Sequence, residues 1–230
     1  MFFDVRWFLF ALPGLLLGLW AQAKVKGAFS KYSKVATARH ITGAEVARAL
    51  LEARGLHDVQ IETARGMLSD HYDPRTKTLR LSPQVYGQPS VAAAGVAAHE
   101  TGHALQHAAG YAPLQLRSAI VPVAQFGSSL APLLFIVGLL IGSTTIAWVG
   151  VVLFAAAVVF TLVTLPVEFD ASNRAKRLLT SHNIVVGNEA EGVSKVLNAA
   201  AWTYVAAAVS AVGQLLYFVL LLGGVGGRRE

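Results

Sequence analysis

Residues 118–167 read SAIVPVAQFGSSLAPLLFIVGLLIGSTTIAWVGVVLFAAAVVFTLVTLPV, a stretch without Asp, Glu, Lys or Arg. About 20 apolar residues suffice to cross the hydrocarbon of a bilayer, so this run is long enough for two crossings. Gly142 and Ser143 are the natural turn of such a helical hairpin. Residues 196–227 are also free of charge, and an apolar stretch begins at Trp7. The spans predicted from these runs are about 7–23, 119–141, 145–165 and 199–222. With 54% apolar and 14% charged side chains, the chain of 230 residues is too greasy for an ordinary soluble domain.

The second span is interrupted by Pro122, Gln125, Ser128, Ser129 and Pro132. Neighbouring helices must satisfy backbone groups freed by such residues, which predicts that this helix packs inside the protein.

The net charge of +6 requires no nucleic-acid partner, because the basic residues gather beside the spans. Lys24, Lys26, Lys31, Lys34 and Arg39 follow the first span, and Arg174, Lys176 and Arg177 follow the third. The positive-inside rule then places both polar segments, 24–118 and 166–198, on the cytoplasmic side with both termini outside. Two features oppose that orientation: Arg228 and Arg229 would lie outside, and Ala21-Gln22-Ala23 resembles a small-residue cleavage site. A retained first span is expected nonetheless, since only Arg6 precedes it, balanced by Asp4, and the residues after the supposed cut are strongly basic.

The polar segments carry local signals of their own. Thr42-Gly43-Ala44-Glu45 is a capping box followed by Val46, Ala49, Leu50 and Ala53 at helical spacing, with Gly55 as a stop. Residues 58–82 alternate as strand and turn around Asp73-Pro74. A second helix is predicted from Ser90 to about Ala109, before Gly110.

That second helix contains His99-Glu100-Thr101-Gly102-His103, which matches H-E-x-x-H. Residues four apart share a helical face, so both imidazoles can grip one zinc ion while Glu100 activates an attacking water. With no cysteine in the chain, any metal must use histidine and carboxylate. A catalytic zinc takes three protein ligands and keeps one position open. His107 would lie about 12 Å along the axis from His99 and is read as a polar helix residue. The metzincin extension fails because Gln106 and Ala109 stand where Gly and His are required. Glu168 is the leading third ligand, because the charge-free hairpin returns to the same membrane face just before it. Asp170, Glu189 and Glu191 remain substitutes, and pairing of Glu168 with Arg174 or Lys176 is the bland alternative. His40, His57 and His182 stand alone in polar contexts, His182 being a minor candidate for stabilising an oxyanion.

The chain resembles the YugP-type neutral zinc metallopeptidases of bacterial membranes. The resemblance rests on Gly43-Ala44-Glu45-Val46-Ala47-Arg48, Leu68-Ser69-Asp70-His71-Tyr72-Asp73-Pro74, Ala97-Ala98-His99-Glu100 with Gly102-His103-Ala104, and Pro166-Val167-Glu168-Phe169-Asp170-Ala171-Ser172. It implies a membrane-bound zinc endopeptidase in which Glu168 completes a site with one zinc. Larger membrane peptidases of the HtpX-like and prenyl-protein-processing kind are similar in carrying E-F-x-A-D. Ser172 stands here in place of the Asp, which leaves the residue that orients a histidine either missing or supplied by Asp170. In such peptidases an edge strand beside the zinc helix pairs with extended substrate, and 76–81 is the segment expected there. Tyr72 or His71 is a candidate donor to the reacting carbonyl.

The expectation is therefore a mainly α, single membrane-embedded peptidase domain over 1–230. It has about four transmembrane helices and a small zincin-like, gluzincin-type portion with a short β segment. Its substrates would be peptides or membrane proteins presented at the lipid bilayer. The alternative is a scaffold or chaperone-like membrane protein with a structural zinc. A transporter is disfavoured, because none of the spans contains an ionisable residue.

Overall fold

The computed structural model describes residues 5–66 and 69–226. Asp4, Leu68, Arg228 and Arg229, which entered the reading above, lie outside the described residues. The elements are α1 (Val5–Tyr32), α2 (Gly43–Glu52), β1 (Gln60–Thr63), β2 (His71–Asp73), β3 (Thr78–Leu81), α3 (Pro83–Tyr86), α4 (Val91–Ala108), α5 (Ala112–Leu140), α6 (Thr144–Ser181) and α7 (Asn188–Gly226). Four of them, α1, α5, α6 and α7, are long and apolar enough to cross a membrane. Each of the four extends beyond the apolar run that identified it. Helix α1 continues unbroken through Ala21-Gln22-Ala23.

The chain divides into two compact units. The first comprises 1–20, 115–166 and 203–230, and its described residues are helical apart from the turn at 141–143. Phe135, Ala147, Val151, Tyr217, Phe218 and Leu222 form its core, with Phe135 and Phe218 stacked at 4.0 Å. Gly142 adopts φ +72° in the tight turn between α5 and α6, a conformation that costs glycine little. Contrary to expectation, α5 is not enclosed. Ala124, Ala131 and Phe135 are buried, whereas Val123, Phe126, Leu130 and Leu133 face outward. The hydroxyls of Ser128 and Ser129 donate to Gln125 O within the same turn, so these polar groups need no partner from another helix.

The second unit comprises 21–114 and 167–202. The capping box of α2 forms as read: Thr42 Oγ1 accepts from Glu45 N at 3.3 Å, and Glu45 Oε2 accepts from Thr42 N at 2.7 Å. Val46, Ala47, Leu50 and Leu51 occupy its buried face. The sheet order is β1-β3-β2, with β1 parallel and β2 antiparallel to β3. This corrects the placement of 76–81: β3 is the central strand, and β2 is the edge that packs against α4. Both backbone sides of β3 are committed to its neighbours, so it has no ladder left for substrate.

Helix α4 is buried on nearly every side, through Val91, Ala92, Ala93, Ala94, Ala97, Ala98 and Ala104. Small side chains let flanking elements come close. Gly102 shows the limit, because a Cβ there would lie 2.7 Å from Ala171 O and 3.2 Å from Ala171 Cα. The helix ends in a Schellman motif, with Gly110 at φ +62°, Tyr111 N donating to Gln106 O and Gly110 N donating to His107 O.

Candidate metal centre

The close approach of α4 and α6 at Gly102 carries His99 and His103 up to Glu168. His99 Nε2 lies 3.1 Å and His103 Nε2 3.6 Å from Glu168 Oε2. The imidazoles meet edge to face, with centroids 4.8 Å apart. Among the described residues, this is the group of His and carboxylate side chains able to share one ion, with ligand atoms all within 4.8 Å of one another. Atoms about 2 Å from a tetrahedral zinc sit about 3.3 Å apart, close to the 3.1 and 3.6 Å found. Two imidazoles and a carboxylate also match the nitrogen and oxygen donors that zinc accepts at catalytic sites.

The outer nitrogens of both rings are held. His99 Nδ1 is 3.1 Å from Ser172 Oγ, and His103 Nδ1 is 2.9 Å from Gln106 Oε1. Gln106, fully buried, uses Nε2 to donate to Val167 O at 2.8 Å and to Asp170 Oδ2 at 2.9 Å. Asp170 in turn accepts from Arg174 Nε. The hydroxyl of Ser172 thus occupies the orienting place where the similar peptidases carry Asp. Asp170 does not take it over: it reaches His103 only through Gln106.

Glu100 is 8% exposed. Burial pushes its carboxyl above the ordinary value, and Glu168 and Asp70 add to this against the opposing pull of the two imidazoles. Burial works the same way on Glu168, but bonds from His103 and His99 outweigh it and hold that carboxyl far below its usual range. His103 is disfavoured as a cation by burial, yet its bond to Glu168 and the charges of Glu100 and Glu168 raise its affinity for a proton. The cluster therefore concentrates negative potential where a cation would sit.

The other candidates fall elsewhere. Glu189 accepts from Ala38 N and Val186 N, so it fastens a loop and the start of α7. Glu191 pairs with Lys195. Lys176 donates to Asn198 and Arg174 to Asp170, while both histidines lie beside Glu168. His182 is exposed, as are His40 and His57, while the carbonyl of His182 accepts from Arg39. His71 is exposed and bonds Ser69 O. His107 stays outside the cluster but is more than a surface residue: Tyr72 Oη lies 2.9 Å from its Nδ1. Burial, then Asp58 and Asp73, push the Tyr72 phenol up to about 12. Sequence reading missed Gln106 as a partner of His103. The usable signal was its position three residues on, within reach along one helical face.

The chain thus combines four helices fit to cross a membrane with a His-Glu-x-x-His helix that meets a glutamate from a second helix in a cluster able to hold a metal ion, the features of a candidate membrane metallopeptidase. The chain belongs to the family described as "Putative neutral zinc metallopeptidase", which it matches over residues 7–223. It is 51% identical over 219 residues to "Putative membrane protease YugP" of Bacillus subtilis (strain 168), covering 95% of this chain and 96% of that protein. No solved structure matches it.

Proposed function

We propose that the protein is a membrane-bound zinc endopeptidase that hydrolyses peptide bonds, with His99, His103 and Glu168 as ligands and Glu100 as the proton carrier. The observation that carries this reading is the convergence of two imidazole nitrogens and one carboxylate beside a buried glutamate. His99, His103 and Glu168 would hold a zinc ion, which when bound would supply Lewis acidity to the scissile carbonyl and to the attacking water. Glu100 takes the proton from the attacking water and delivers it to the departing amide nitrogen. Its raised proton affinity suits both halves of that exchange.

The edge of β2, beside the metal helix, offers unpaired backbone groups to an extended peptide. A strand edge needs no chain terminus, which supports cleavage within a chain. Substrates are then peptides or membrane proteins with a segment extended near the bilayer. The basic residues Lys24, Lys26, Lys31 and Lys34 support a cytoplasmic site.

The test is zinc content by elemental analysis, with hydrolysis of a casein-type substrate as second readout. One zinc per native chain, lost in His103→Ala and Glu168→Ala but kept in Glu189→Ala, is expected. Glu100→Gln should keep zinc and lose hydrolysis by at least about a thousandfold. Zinc retained in Glu168→Ala would remove that ligand. Intact physiological function in Glu100→Gln would instead favour a scaffold with structural zinc.

A further inference from the structure

Among the described residues, Gln106 is the one amide in the set of largest fully buried side chains, and the identities of its neighbours fix which way it faces. A glutamine amide can be turned over in a structure, so its orientation must follow from its partners. Val167 O is a carbonyl and can only accept. Asp170, paired with Arg174, is a carboxylate and can only accept. Both sit on the same end of the amide, which must therefore be the NH2 group. The remaining end, facing His103 Nδ1 at 2.9 Å, is the oxygen, and an oxygen facing that nitrogen requires a proton on it.

From this geometry we infer that Gln106 is the positioning residue that keeps the proton of His103 on Nδ1 and so turns Nε2 toward Glu168 as a metal ligand. The inference rests on the zinc reading for its use, though not for its geometry. His99 lacks the same constraint, because the Ser172 hydroxyl can either donate or accept. The two ligand histidines are thus held differently, His103 by a one-way lock and His99 by a partner that adapts. The lock is braced from behind. Asp170 is held by Arg174, whose guanidinium lies 5.8 Å from the ring of Tyr111. Tyr111 is fixed by the bond from its N–H to Gln106 O at the end of α4. The polar chain closes on the residue from which it started.

Two roles of Gln106 are separable: accepting from His103, and donating to α6. Gln106→Met removes both, whereas Gln106→Glu keeps an acceptor for His103 and loses the donors. The full chain in detergent is to be titrated with zinc against a chromophoric chelator and, in parallel, loaded with Co2+ to read its visible absorption. Gln106→Met should weaken zinc at least about tenfold and alter the Co2+ bands, and Gln106→Glu should restore both to near the native result. If Gln106→Met does not fold, Gln106→Glu is read together with a further apolar variant. Near-native affinity in Gln106→Glu supports the lock. A loss there can also come from a carboxylate facing Val167 O and Asp170, so it overturns the lock in favour of a mere bridge between helices only where His103 Nδ1 stays protonated without Gln106. Should the native chain take up no zinc, the functional reading fails by itself. The 15N spectrum of the metal-free chain still judges the lock, which requires His103 Nδ1 to be protonated in the native chain and the preference to vanish in Gln106→Met or a further apolar variant. A native His103 with bare Nδ1 overturns it.

Discussion

In the unit formed by 1–20, 115–166 and 203–230, the contacts that set helix spacing are backbone against backbone, as where Gly138 meets Ala147. In the unit formed by 21–114 and 167–202, the backbone also approaches closely at Gly102, but buried polar groups then specify the arrangement. Glu168, Gln106, Ser172 and His103 are all buried there and bonded to one another or to neighbours. Apolar packing tolerates many arrangements of similar energy, whereas a polar group left without its partner costs about 1–3 kcal/mol. The first unit is built to be held close, the second to be held in one geometry.

The largest expected effect comes from wedging the second unit open. In Gly102→Val the new side chain meets the backbone of Ala171, which cannot move as the end of a flexible side chain can. Overpacking of this kind costs about 1–3 kcal/mol, and separation of α4 from α6 should abolish zinc binding. Elemental analysis with a thermal melt in detergent checks this. Native zinc content in the variant would show that the ligands do not depend on the close approach.

Gly138→Val applies the same wedge to the first unit, between α5 and the backbone of Ala147. A comparable loss of thermal stability is expected, about 1–3 kcal/mol, with zinc affinity within about twofold of native. Zinc lost as completely as in Gly102→Val would break the distinction between the units. The energy of the metal site would then depend on the helical hairpin.

Sequence alone reached the elements that are local. The capping box at Thr42, the helix around His99 and the turn at Gly142 depend on a few neighbouring residues, and they form where read. Glu168 was accessible because a charge-free hairpin must return to the face it left. Strand order was not accessible. Whether β3 or β2 forms the edge is settled by pairing partners distant along the chain, and alternation along one strand cannot report it. Gln106 was hidden for a related reason: a glutamine on a helix looks like any polar residue until Val167 and Asp170 arrive from another element. The prolines of α5 suggested an enclosed helix, yet its serines satisfy backbone carbonyls locally and its outward face stays apolar.

A smaller effect is expected at the capping box, which lies far from both wedges in kind. Thr42→Ala removes one cap bond and should cost about 1 kcal/mol without changing zinc content. Thr42 also donates to Glu45, and these bonds hold that carboxyl below its ordinary value of 4.5. The folded chain thus binds this proton less readily than the unfolded one. The resulting stability is complete above about pH 4.5 and fades as pH falls through the lower folded value. The Thr42 backbone N–H, the larger cause, survives in Thr42→Ala. Melts between pH 6 and pH 3 should therefore show the gap to the native chain narrowing without closing, as the bond from Thr42 Oγ1 to the carboxylate loses its value. A constant gap would mean that the cap acts without the carboxylate.

The smallest effect should come from the outward face of the first unit. Leu133 is 56% exposed and Val152 68% exposed, so truncating either removes atoms that pack against little else in the protein. If the surroundings are lipid tails, the lost contacts are with groups as apolar as leucine itself, and no hydrophobic gain is forfeited. Leu133→Ala and Val152→Ala should then each shift stability by no more than about 0.5 kcal/mol in bilayer-like detergent. A buried leucine truncated in the same way costs about 2–5 kcal/mol, a difference wide enough to be decisive. A loss of that size at Leu133 would mean that its face is covered by protein, either a partner or a second copy. The first unit would then be specified by a surface it shares, not only by the backbone contacts at its glycines.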